Sequence, residues 1–141
     1  MARGKSRSGN IQTTLKIAQE VALKGAKEIV LTGVNIGDFG AGSDENLLQL
    51  LIELDNIEGV ERFRISSIEP NLLYDDIIAF CNASKKFVPH FHIPLQSGSN
   101  KILKGMRRRY DQTIYRKKIN KIISSNPETC IGVDVMVGFP G

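Results

Sequence analysis

Helical and strand signals alternate along this chain with almost nothing between them, and that alternation constrains the fold more than any other feature. Asn10 stands before Leu15, Ile17, Ala18, Val21 and Ala22, which recur at helical spacing, and Gly25 is placed to end that helix. Residues 29–33 read as a short apolar strand. After a glycine-rich loop, Ser43 or Asn46 opens a second helix through Leu47, Leu48, Leu51 and Leu54. Residues 63–67 are the next strand. Pro70 and Asn71 break and recap the chain before a third helix, with Asp75 and Asp76 in its first turn, where the helix dipole favours acids. A strand through His90 and His92 follows. Ser99 is expected to cap a short helix and Asp111 a longer one closed by Pro127, and residues 131–138 form the last strand. This order predicts an α/β fold of parallel strands joined by right-handed helical crossovers. It starts on a helix and stops on a strand, so a closed barrel would need more chain at each end. The expectation is one unit, residues 1–141, from the middle of a larger domain.

Each strand has two chemically different faces, because successive side chains of an extended chain point to opposite sides. Phe63 and Ile65, Phe91 and Ile93, and Ile131, Val133, Val135 and Val137 form apolar sets expected to meet helices. Opposite them lie Val30 and Thr32, Arg64 and Ser66, His90 and His92, and Gly132, Asp134 and Met136. A βα-barrel lumen is ordinarily packed with aliphatic groups, and buried polar groups need partners. The polar faces therefore predict a cavity for a charged or polar ligand. Its rim, at the carboxyl ends of the strands, carries four polar, glycine-bearing turns, around Thr32-Gly33-Val34-Asn35, Ser66-Ser67-Ile68-Glu69, Gln96-Ser97-Gly98-Ser99 and Val137-Gly138-Phe139. His90 and His92 on one strand face also admit a metal-dependent hydrolase, with Asp134 or Glu69 as carboxylate partner.

Charge is unevenly spread. The net charge is +4, yet nine Lys or Arg against the single acid Asp111 give residues 101–121 alone +8. Residues 1–8 add +3. Concentrated positive charge attracts phosphate, so the segment containing Arg107, Arg108 and Arg109 predicts a nucleic-acid contact; a solvated helix face is the plainer alternative. No apolar run is long enough for a membrane span and the start lacks the apolar block of a signal peptide, so a soluble cytoplasmic protein without a membrane partner is expected. Cys81 and Cys130 lie far apart without Cys-x-x-Cys spacing, and both are expected to be buried thiols.

Taken together, Ala2-Arg3-Gly4-Lys5-Ser6-Arg7-Ser8, Glu28-Ile29-Val30-Leu31-Thr32-Gly33, Arg64-Ile65-Ser66-Ser67-Ile68-Glu69, the stretch from His92 to Asn100 with Arg107-Arg108, and Val137-Gly138-Phe139-Pro140-Gly141 resemble the radical S-adenosylmethionine enzymes, and within them the tRNA methylthiotransferases. Ser97 stands where the sister enzymes acting on a ribosomal protein usually carry His, which favours a tRNA substrate. Ser66-Ser67-Ile68-Glu69 and Arg107-Arg108-Arg109 are most similar to the branch acting on threonylcarbamoyladenosine beside the anticodon, with the isopentenyladenosine branch a close competitor.

The resemblance implies a partial (βα) barrel of the radical SAM type, lacking its first strand and last part. It implies S-adenosylmethionine bound to a 4Fe-4S cluster, a second cluster that supplies sulfur, and a tRNA anticodon stem-loop as partner. Thr32, Gly33 and Asn35 would meet the methionine end of the cofactor, Ser66, Glu69 and Gln96 its ribose and carboxylate, and Val137, Gly138 and Phe139 its adenine. Arg107, Arg108 and Arg109 would meet RNA phosphates. Relatives carry their cluster-binding cysteines immediately before the position of Ala2, and neither Cys81 nor Cys130 matches these. The expectation is thus a catalytic core that is inactive alone, without the auxiliary-cluster and terminal RNA-binding domains. A non-catalytic RNA-binding module is the second reading, and the hydrolase the third.

Overall fold

Asn10 begins the first helix as the sequence predicts: its Oδ1 accepts from the Thr13 amide at 2.8 Å, giving α1 (Ile11–Leu23) a partner for an otherwise unmatched donor. The computed structural model describes residues 8–141; the motif residues Ala2 to Arg7 and the basic charge they carry lie outside that range. Gly25, at φ +89°, closes α1 by donating to Ala22 O, while the Ala26 amide reaches Val21 O. Strand β1 (Glu28–Leu31) follows, then a loop with one 3-10 turn at Ile36–Asp38. Asn46, rather than Ser43, caps α2 (Leu47–Asp55) in a reciprocal box with Gln49.

After β2 (Arg62–Ile65) the chain departs from expectation. The amides of Leu72 and Leu73 both turn back to Glu69 O, so Asn71 caps nothing and α3 (Asp75–Ala83) starts later. Leu73, fully buried, plugs the core from this turn. Strand β3 (His90–His92) leads into α4 (Asn100–Gly105) and α5 (Gln112–Ser125). Asp111 caps α5 through the Ile114 amide at 2.8 Å. Ser99 occupies the N-cap position of α4, but its hydroxyl makes no capping bond.

The strands are parallel and lie in chain order. β1 pairs with β2 in the register Ile29↔Phe63, and β3 pairs with β4 (Cys130–Gly132) in the register Phe91↔Ile131. Parallel bridges at Phe63↔Phe87 and Ser67↔His92 join the two pairs. One face of this array is the core: Phe63, Ile65, Phe91 and Ile93 are buried against Leu50, Leu51 and Leu54 of α2, Ile77 and Ile78 of α3, and Tyr115 and Ile122 of α5.

The last strand is shorter than predicted. Regular pairing stops at Gly132, with one further bridge between Gln96 and Val135. Val133, Val135 and Val137 are 51%, 58% and 89% exposed, so they do not face helices here. A strand gains its stability from what packs on it: Ile131 still packs against the core, but the three valines beyond it are left exposed.

The cysteines also separate. Cys81 is buried, which pushes its thiol up to about 12, whereas Cys130 is exposed, contrary to expectation. It opens β4, at the end of the strand away from the rim. Maleimide at pH 8 should therefore label one thiol in the native protein and two in denaturant, as counted by mass spectrometry; two fast thiols in the native state would contradict this core.

Candidate active site and basic groove

The polar strand faces lie together, as predicted. Arg64 reaches Glu28 across the β1–β2 pair at 3.7 Å, and His92 Nε2 lies 3.1 Å from Asp134 Oδ2. A Cβ on Gly132 would meet both His90 and His92 within 3.7 Å, so glycine leaves room for two rings on this side. His90 has its pKa lowered by burial first, then by Arg64 and His92, and its Nδ1 is buried without a partner. Among the described residues no group of three or more His, Cys, Asp or Glu side chains is arranged to hold a metal. His90, His92 and Asp134 thus do not make the three-ligand set that the hydrolase reading needs.

The rim is built from the strand ends. Asn35 donates to Asp38 Oδ2 at 2.7 Å while its own Oδ1 is buried and unmatched. Thr32 and Gly33 are exposed beside it. The turn after β3 is held from behind by two tyrosines: Tyr110 donates to Pro94 O at 2.8 Å and Tyr115 to Ile93 O at 3.0 Å. Burial raises both phenol pKa values, so these hydroxyls stay donors. Gln112 adds a bond to Gly98 O. Thus pinned, Gln96 adopts φ +63° and spends its amide on Asp134 O and its carbonyl on the Met136 amide, both at 2.8 Å. Its side chain makes no hydrogen bond among the described residues and remains available to a ligand.

Beyond Gly138, at φ +77°, the chain folds back over α4. The Phe139 ring packs on Gly105, where a Cβ would stand only 3.3 Å away, and Lys101 Nζ donates to Gly141 O at 2.9 Å. Sequence reasoning placed Phe139 on the rim but had no signal for its seat against Gly105.

The three consecutive arginines separate. Arg107 and Arg109 are exposed, whereas Arg108 turns inward and donates from Nη1 to Glu69 Oε1 at 3.1 Å, each side chain 27% exposed. Its Nε is buried without a partner. The residue expected on RNA and the residue expected on the cofactor are therefore one ion pair, at the point where the rim meets the basic segment. A groove of about 540 Å³ between α4 and α5 opens beside it, and its lining includes Lys104, Arg107, Arg108 and Arg109 together with one acid, Asp111.

A family model described as the Radical SAM superfamily matches residues 1–141. The chain belongs to that family. It is 46% identical over 142 residues to threonylcarbamoyladenosine tRNA methylthiotransferase MtaB of Bacillus subtilis strain 168, an alignment covering 99% of this chain and 32% of the relative. The protein of the same name from Aquifex aeolicus strain VF5 is 41% identical, covering 99% and 34%. The tRNA-2-methylthio-N(6)-dimethylallyladenosine synthase of Thermoanaerobacter sp. strain X514 is 39% identical, covering 99% and 30%. The chain thus spans about a third of the length of these relatives.

Radical SAM enzymes use S-adenosylmethionine and a 4Fe-4S cluster, and the described residues fit the two unequally. An unmatched acceptor at Asn35, an unmatched donor at Arg108 and the free Gln96 side chain suit a polar nucleoside bearing both charges. A cluster needs several thiolates, and Cys81 is sealed in the core while Cys130 lies at the strand end opposite the rim. None of the described residues fits that group. Among the described residues no helix is long and apolar enough to cross a membrane.

Proposed function

We propose that this chain is part of the radical S-adenosylmethionine core of a cytoplasmic tRNA methylthiotransferase, its four strands forming part of a βα-barrel wall. The substrate is a hypermodified adenosine beside the anticodon, threonylcarbamoyladenosine in preference to the dimethylallyl base. One observation carries the reading: the Glu69–Arg108 pair unites the rim and the basic segment. An α-amino acid carries one ammonium and one carboxylate, and this pair offers a counter-charge to each. S-adenosylmethionine, when bound, supplies the radical chemistry. The chain's own residues position it: Thr32, Gly33 and Asn35 along its methionine end, Ser66 and Gln96 toward the ribose, and Val137, Gly138 and Phe139 toward the adenine. The basic segment draws in the anticodon stem-loop.

The names of the relatives, transferase and synthase, do not favour a non-catalytic RNA-binding module. The choice between bases rests on the names and identities of the relatives. A chimera tests it directly, with residues 8–141 replacing the matching segment of the Bacillus subtilis relative in a strain lacking that gene. Nucleoside mass spectrometry of its tRNA should show methylthio-threonylcarbamoyladenosine. Methylthiolation of the dimethylallyl base instead would move the chain to the other branch, and none on either base, with soluble chimera present, would overturn the reading.

A further inference from the structure

Two helices of this chain end in the same backbone motif with different residues at its critical position. In α1 the left-handed residue is Gly25, whose amide reaches Ala22 O at 2.8 Å while Ala26 reaches Val21 O at 3.3 Å. In α4 it is Arg107, at φ +58°, with its amide on Lys104 O at 3.0 Å and that of Arg108 on Leu103 O at 2.9 Å. Glycine is the usual choice there because a Cβ is strained in the left-handed region. Such strain persists where something other than local stability holds the residue in place. Helix-dipole compensation does not require it, since Lys104 already stands in the last turn of α4.

We propose that Arg107 is an RNA-phosphate contact, aimed by its left-handed backbone into the groove between α4 and α5 with Lys104 and Arg109, while Arg108 serves the rim. This rests on the RNA substrate proposed above and divides the three arginines within it. The backbone that carries Arg107 is clamped on both sides, by Arg108 on Glu69 and by Tyr110 on Pro94 O. A clamped backbone lowers the ordering cost of binding. Among the described residues the cations also divide by partner. Arg108 is matched by Glu69 and Lys118 by Asp75, but Lys104, Arg107, Arg109, Arg116 and Lys117 have no carboxylate partner. The acid in the groove, Asp111, accepts from the amide of Ile114 and forms an ion pair with none of these cations. A second hollow, of about 530 Å³ along α5, carries Arg116 and Lys117. Two successive cation-lined hollows suit a run of phosphates better than a single anion.

The test measures binding of the chimera described above to a labelled anticodon stem-loop by fluorescence anisotropy across a salt series. Arg107→Gly should weaken binding about fivefold to tenfold and reduce the log–log salt slope by about one. The same variant should unfold at a higher temperature, because glycine relieves the cap. Arg107→Lys, which keeps the charge, should recover most of the affinity. An unchanged affinity and slope in Arg107→Gly, with binding by the parent chimera intact, overturns this inference and leaves the RNA substrate standing. Failure of the soluble chimera to bind the stem-loop overturns the substrate reading and this inference with it.

Discussion

Phe63→Ala should cost about 3–5 kcal/mol, a large share of the roughly 5–15 kcal/mol that holds a domain of ordinary stability together. The ring is 0% exposed and stacks on Phe87 with centroids 5.2 Å apart. Its backbone is equally committed: the amide goes to Lys86 O at 2.8 Å and the carbonyl takes the Val88 amide at 3.1 Å, while the residue pairs with Ile29 on its other side. Truncation opens a cavity where the two strand pairs meet, and the neighbouring backbone is already fixed by those bonds and cannot close it. Urea unfolding followed by circular dichroism should show the midpoint collapse. Phe63→Leu, which keeps most of the volume, should lose far less. A shift below about 1 kcal/mol for the alanine variant would contradict the placement of this ring.

Arg108→Ala, introduced into the chimera, should weaken S-adenosylmethionine binding about tenfold to a hundredfold, the range expected for losing a charge-assisted hydrogen bond. Glu69→Gln should act in the same direction. Equilibrium dialysis with labelled cofactor measures both. A swapped pair, Glu69→Arg with Arg108→Glu, separates binding from scaffolding: it retains opposite charges across the gap and should restore thermal stability without restoring affinity. If the swap also recovers cofactor binding, or if Arg108→Ala leaves it unchanged, the pair is a structural clasp and does not read the ligand's charges.

Much of this architecture is written in short-range sequence signals. Asn10, Asn46 and Asp111 cap helices because a short polar side chain can reach an amide two or three residues ahead, a geometry needing no tertiary help. The strand faces were legible for the same reason, since alternation follows from backbone geometry, and Phe63, Ile65, Phe91 and Ile93 lie in the core while Arg64, His90 and His92 share the other side. What was not legible depends on one tight turn and on contacts distant in sequence. The start of α3 moved from Asn71 to Asp75 because the Glu69 carbonyl captures two amides first. The extent of β4 depends on cover that valines cannot announce. Cys130 resembles any small apolar residue until it is seen to open its strand at the end away from the rim. The division of the three arginines needed both the left-handed turn at Arg107 and a carboxylate 39 positions earlier. A run of like charges carries no mark of which member turns inward.

Strand order has a consequence for how the chain is made. Because β1 pairs with β2, β2 is bridged to β3, and β3 pairs with β4, each of the first three described strands finds a partner in its immediate successor. During synthesis each newly emerged strand can dock on the preceding one, its crossover helix sealing the greasy side before the next unit leaves the ribosome. Assembly by accretion keeps loop closures short and limits the time that unpaired edges are open to other chains.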